Sequence, residues 1–182
     1  MMKTILFFLF ILTFGTSSIL AQDNLKTIKN ISFNKVLIYE FDPSPDEPDF
    51  RKITQHAIEH PDTTNGLKNS FITKKEQVKL HKFLGDSKSF NNGSSICWEP
   101  HLGIVFLENN IAVNYISVCM ECNKLKSMIH IPAAKTIIST EPNGINIEKG
   151  MTPAFRQFLN SLLTKYNFKY ANRTNYNIWD RQ

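Results

Sequence analysis

Residues 33–41 (Phe-Asn-Lys-Val-Leu-Ile-Tyr-Glu-Phe) are dense in β-branched and aromatic side chains and predict a strand. Pro43, Pro45 and Pro48 end it, because proline has no amide for a ladder and cannot continue a helix. Residues 50–60 can form three helical turns before Pro61 stops them. Thr73 and Glu76 have the spacing of a capping box. The helix they open is expected to turn Val78, Leu80, Phe83 and Leu84 to the core and to stop at Gly85. A polar Asn/Gly/Ser loop follows at 91–95. Two apolar runs, 102–108 and 111–120, then flank Asn109-Asn110, a pair that tolerates the positive φ of a tight hairpin turn.

A weaker hairpin is predicted from 135–140 and 145–148 around the turn residues 141–144. Thr152 as cap and Pro153 in the first turn open a last helix, with Phe155, Phe158, Leu159, Leu162, Leu163 and Tyr166 on its apolar face. The aromatic tail, 170–179, is expected to pack back on the domain. No internal repeat is visible. Helices and hairpins in this order, without βαβ alternation, predict an α+β fold: an antiparallel sheet with a central hairpin and helices packed mainly on one face.

Residues 1–21 follow a different logic. Lys3 is followed by a short apolar run at 4–12, a small and polar stretch at 13–18, and Ala21 before Gln22. This is the order of a secretory signal peptide. A membrane span needs about 20 predominantly apolar residues, and this run is too short. The expectation is a cleaved leader, 1–21, then a single domain, 22–182, exported to the periplasm or the extracellular space without stable membrane insertion. No cysteine lies between 22 and 96, which excludes a lipid-modified new N-terminus. The whole chain carries a formal charge of +5, of which Lys3 supplies one unit. The remaining lysines are scattered without a block of like charge. That fits a solvated surface and argues against a nucleic-acid partner; the partner class expected is a protein or a small ligand.

In an oxidising compartment the three cysteines, Cys97, Cys119 and Cys122, become the centre of interest. With Asn109-Asn110 as a two-residue turn, Glu108 faces Ile111, so Cys97 faces Cys122 and His101 faces Val118. Pro100 has no amide to give, so a bulge or a strand start is expected there, and beyond it Cys97 could reach Cys119 instead. Several chemistries fit. One is a structural disulfide from Cys97 to Cys122 or Cys119, leaving one buried thiol. Another is a zinc site of Cys97, His101, Cys119 and Cys122, in which Cys-x-x-Cys followed by Asn123 has the form of a zinc knuckle. A third is a redox-active Cys119/Cys122 pair. A c-type haem is excluded because Asn123, not His, follows the pair. A thioredoxin fold is excluded because Pro132 comes too soon after Cys122 to admit the elements between them.

Residues 73–125 carry a combined pattern. A capped helix and a Gly/Asn loop lead to Cys97-Trp98-Glu99-Pro100-His101, an aliphatic strand, a tight turn, and a second strand ending Cys119-Met120-Glu121-Cys122. This resembles small exported proteins and lipoproteins of Bacteroidetes-type bacteria, a group without an assigned activity. The present chain lacks the basic residue those proteins place between the proline and the histidine. The resemblance implies that Cys97, His101, Cys119 and Cys122 form one unit, and carries no substrate or cofactor.

Other motifs are weaker. His56-x-x-Glu59-His60 matches the inverted zinc-peptidase spacing, but Pro61 frays the turn that must hold the second ligand, so a surface helix end is the better reading. The acids at 42–49 lack the ordered spacing of a calcium loop. No Ser-His-Asp set or phosphate-binding glycine loop is present. The sequence therefore favours a non-enzymatic exported binding or interaction domain, stabilised by cysteine chemistry at its central hairpin. The alternative is a thiol-redox or metal-dependent enzyme centred on Cys97, His101, Cys119 and Cys122.

Overall fold

The strand expected at 33–41 is β1 (Lys35–Glu40) in a computed structural model of the chain. The structure describes residues 27–42, 68–91, 93–95, 97–134 and 149–172, short strands at 137–138 and 146–147, and the single positions Gln55 and Glu59. The leader 1–21, the proline loop 43–49, most of 50–60 and the tail from 173 lie outside the described residues. Among those described, no helix is long and apolar enough to cross a membrane.

β1 pairs on one side with β2 (Asn69–Phe71) and on the other with β4 (Leu102–Glu108). β5 (Ile111–Cys119) and β6 (Lys124–Ser127) complete an antiparallel sheet of order β2-β1-β4-β5-β6. β3 (Phe90–Asn91) pairs with β9 (Gly150–Met151), and β7 (Ile137–Ile138) with β8 (Asn146–Ile147). The last pair is the weaker hairpin expected from the sequence. With helices α1 (Lys74–Gly85) and α2 (Pro153–Lys165), the fold is α+β.

The central turn forms as its residues dictate, with Asn109 at φ 51° and Asn110 at φ 67°. The Asn34 amide and the Lys35 ammonium bind their side-chain oxygens, anchoring the turn to the start of β1. The pairing then departs from the expected register. Leu107 faces Ala112, but Phe106 faces Asn114, so Val113 is an extra residue and the ladder beyond it is offset by one. The bulge lies here and not at Pro100, where the strand has not yet begun.

α1 opens with the expected capping box: the Thr73 hydroxyl accepts the Glu76 amide while the Glu76 carboxylate accepts the Thr73 amide. Its inward face is Gln77, Leu80 and Leu84, with Phe83 half-buried. Val78, expected inside, is 60% exposed, because one residue of helix turns it about 100° away from Gln77. Gln77 is tolerated in the core because its amide donates to the Ile72 carbonyl at 3.0 Å. α2 starts at Pro153, but the Thr152 hydroxyl makes no cap hydrogen bond; its amide instead donates to Ser89. Both helices cover one sheet face, burying Val36, Ile38, Ile104, Phe106, Ile116 and Val118. The other face also holds buried side chains, Leu37, Tyr39, Phe41, Val105, Leu107 and Tyr115. The central strands are thus apolar on both sides, which explains why residues 36–39 do not alternate.

Candidate functional site

The three cysteines meet where the β4–β5 hairpin ends and a second hairpin turn begins. Cys119 closes β5 and pairs with Lys124 of β6, so residues 120–123 are the turn between these strands. Cys-x-x-Cys thus begins at the last residue of β5 and runs on into the reversal toward β6. Asn123 supports it with φ 53°, a left-handed conformation that asparagine tolerates better than most residues. The Asn123 amide donates to Met120, closing the turn.

On the opposite side, β4 begins at Leu102, directly after the buried Pro100-His101 pair. This is the strand start that the missing proline amide requires. Residues 93–95 and 97–100 lie outside the strands. Their position is held by the Ser95 amide donating to the Cys122 carbonyl at 2.9 Å, and by the Cys97 amide donating to the Ser95 hydroxyl at 3.3 Å.

Cys97 and Cys122 are joined by a disulfide with a Cα–Cα separation of 5.6 Å. That is the pair expected from the turn, reached by a different route. With the bulge, continued strands would put Cys97 opposite Asn123; the bond forms because β4 starts only at Leu102, and Ser95 and Cys97 instead lie against Cys122. Cys119 is a free, buried thiol. Its Sγ accepts the Cys122 amide at 3.2 Å. Burial pushes this thiol above its ordinary pKa, against the lowering effect of backbone hydrogen bonds from Glu99 and Cys122. All three sulfurs lie within 4.8 Å of one another, and Cys97 reaches solvent while the other two do not.

Three sulfurs this close could hold one metal ion in reduced form. In the disulfide form two of them are bonded to each other and are no longer thiolate donors.

His101 stands outside this sulfur set. Its backbone joins the sheet, donating to Val118 at 3.2 Å and accepting from Phe41 at 3.1 Å. Its buried ring stacks on Tyr170 with centroids 3.9 Å apart, places Nδ1 3.3 Å from the Phe41 carbonyl, and sets Nε2 3.8 Å from Glu121. Leu102, not His101, is paired with Val118, and His101 stands one residue before the paired strand. The histidine thus ties the end of β1, the cysteine turn and the segment after α2 together. Tyr170 also donates to Asp42, which Lys169 reaches at 2.6 Å. Those hydrogen bonds, Lys169 first, hold the Asp42 carboxyl below its usual range. Tyr170 packs back as expected of the tail.

His56 and His60 lie outside the described residues. Glu59 between them is exposed, and its carboxylate accepts a hydrogen bond from Gln55.

The motif gives no role to Glu121, and it names Asn123 only as the residue after Cys-x-x-Cys. The signal for Asn123 was its place directly after Cys-x-x-Cys, where a turn must reverse the chain and left-handed φ is wanted. The centre is read from its own geometry, since no protein-family model matches this chain and no significant match to a curated protein or a solved structure is found.

Proposed function

We propose that residues 22–182 form an exported, non-enzymatic binding or interaction domain whose cysteine centre is a structural fastening. The observation that carries this reading is the partition of the three sulfurs. The disulfide joins Cys97 to Cys122 across 25 residues, and the remaining thiol, Cys119, is buried with its pKa raised. A thiol oxidoreductase needs the opposite arrangement: an accessible cysteine of lowered pKa, paired within its own Cys-x-x-Cys. A disulfide also suits an oxidising compartment, in keeping with the leader-like residues 1–21. The partner is a protein or a small ligand, and binding falls to the surface that the fastening supports.

The test is to express the full chain with its own leader and recover the exported fraction. The expected product begins at Gln22, titrates one free thiol per chain under denaturing, non-reducing conditions, and contains no stoichiometric metal. Three free thiols with one zinc per chain would replace the fastening by a metal centre of Cys97, Cys119 and Cys122, which the 4.8 Å sulfur spacing also accommodates. A retained leader would overturn export.

A further inference from the structure

A disulfide with a third thiol in contact range is not chemically closed. We propose that Cys119 exchanges with the Cys97–Cys122 bond, so that the domain interconverts between two disulfide isomers and releases Cys97 as a surface thiol. The proposal rests on the proposed reading only for the existence of the Cys97–Cys122 disulfide.

Three observations carry it. All three sulfurs lie within 4.8 Å of one another, so exchange needs side-chain rotation and no large backbone movement. The Cys122 amide already donates to the Cys119 sulfur at 3.2 Å, which holds the nucleophile beside its target. Solvent access is unequal: Cys97 is the one sulfur of the three whose residue reaches water. A thiolate that can be hydrated is a better leaving group than one expelled into the interior, and leaving-group stability governs which side of a disulfide opens.

The step follows from this. Cys119 loses its proton to water, and its sulfur attacks the Cys122 sulfur. The Cys119–Cys122 bond forms as the Cys97–Cys122 bond breaks, and the electron pair departs on Cys97, which takes up a proton from water. One disulfide is lost and one is made, so no oxidant or reductant is consumed. The new bond joins the end of β5 to the turn, and the segment that carries Cys97 is then held to the turn by the Ser95–Cys122 and Asn123–Gly93 hydrogen bonds alone, with no covalent link. Cys97, on that segment beside Trp98 and Glu99, can then attack a disulfide-bearing partner. A mixed disulfide forms at Cys97 and the partner's other sulfur leaves as a thiol. The fastening thereby becomes a covalent handle for a disulfide-containing molecule.

The experiment uses the exported, oxidised protein without reductant. It is incubated at pH 8 with iodoacetamide, or in a second arm with glutathione disulfide, then quenched in acid and digested with pepsin so that no further exchange occurs. Peptide mapping reads which cysteine is modified and which pair remains bonded. The expected result is time-dependent modification of Cys97 together with a Cys119–Cys122 disulfide in both arms. Cys119→Ala should lower Cys97 modification at least tenfold while keeping the Cys97–Cys122 bond. Modification of Cys119 alone with Cys97–Cys122 intact, or release of Cys122 with a Cys97–Cys119 bond, overturns the proposal. So does equal Cys97 modification in Cys119→Ala, which would mean that the bond opens by unfolding. Because the wild-type map is decisive by itself, an unstable variant does not shelter the proposal. Three modified thiols with no disulfide at time zero would instead refute the fastening itself.

Discussion

The side-chain oxygen of Asn123 accepts the amide of Met151 at 3.0 Å, linking the cysteine turn to β9 across 28 residues of chain. The Asn123 amide nitrogen donates to the Gly93 carbonyl, so the same buried side chain also holds the start of the segment that carries Cys97. Gly150 completes the contact: an added Cβ there would overlap the Gly93 carbonyl and the Asn123 side chain. The position of Cys97 over Cys122 is thus set by an asparagine clamp as well as by the disulfide.

Asn123→Ala should therefore cost roughly 2–5 kcal/mol. It leaves the buried Met151 amide without its partner, at about 1–3 kcal/mol, and puts a poor residue in the left-handed region, at about 1–2 kcal/mol. Urea unfolding under oxidising conditions measures it. A loss below about 0.5 kcal/mol would mean that the clamp contributes little.

Cys97→Ser should destabilise the domain by roughly 3–4 kcal/mol, the loop-closure entropy of a link spanning 25 residues. Adding reductant to the wild-type protein should lower its urea midpoint similarly. A surface change such as Lys75→Ala should stay within about 0.5 kcal/mol.

Glu76 supplies a pH-dependent term. Burial alone would raise its pKa from 4.5, but hydrogen bonds from Lys165, Thr73 and Tyr166 outweigh burial and bring it down to about 2. Lys165 reaches it at 2.6 Å and Tyr166 at 2.8 Å, so the start of α1 is tied to the end of α2. A depressed carboxyl stabilises the fold fully above its unfolded pKa, and that contribution drains away as pH falls from about 4.5 to about 2. Thermal unfolding should show this acid loss in the wild type and a flatter profile in Glu76→Gln. Thr73→Ala, which removes the hydroxyl half of the box, should cost about 1 kcal/mol at neutral pH.

Gly103 lies against the ring of Tyr39, and a Cβ at this position would overlap three of the ring's atoms. Tyr39 is fully buried between Phe41 and Tyr115 and has no space to yield. Gly103→Ala should destabilise by roughly 1–3 kcal/mol through overpacking. A melting temperature within a degree of wild type would show that the ring can shift.

What the sequence by itself determined are the features whose causes are local. The Thr73–Glu76 box needs only a hydroxyl and a carboxylate three residues apart, and the Asn109-Asn110 turn only two residues that accept positive φ. Pro100 announced a bulge or a strand start, because its missing amide is a property of the residue, and the structure has the strand start. These local signals left Cys97 a choice between Cys122 and Cys119, and the path of the chain before β4 decided for Cys122. Tertiary structure decided the register. The apolar positions Val113 and Ile116 are spaced by three, and this break in alternation marks the bulge. The break also puts Asn114 in the core, where its oxygen accepts the Ile129 amide at 3.0 Å from the far side of β6. That offset put Leu102 opposite Val118, the place the unbroken register gives to His101. Its ring, spoken for by Phe41, Glu121 and Tyr170, is engaged by partners 20 to 69 residues away in the chain. No spacing rule reaches such partners, because side-chain contacts between distant elements exist only after the sheet has aligned them.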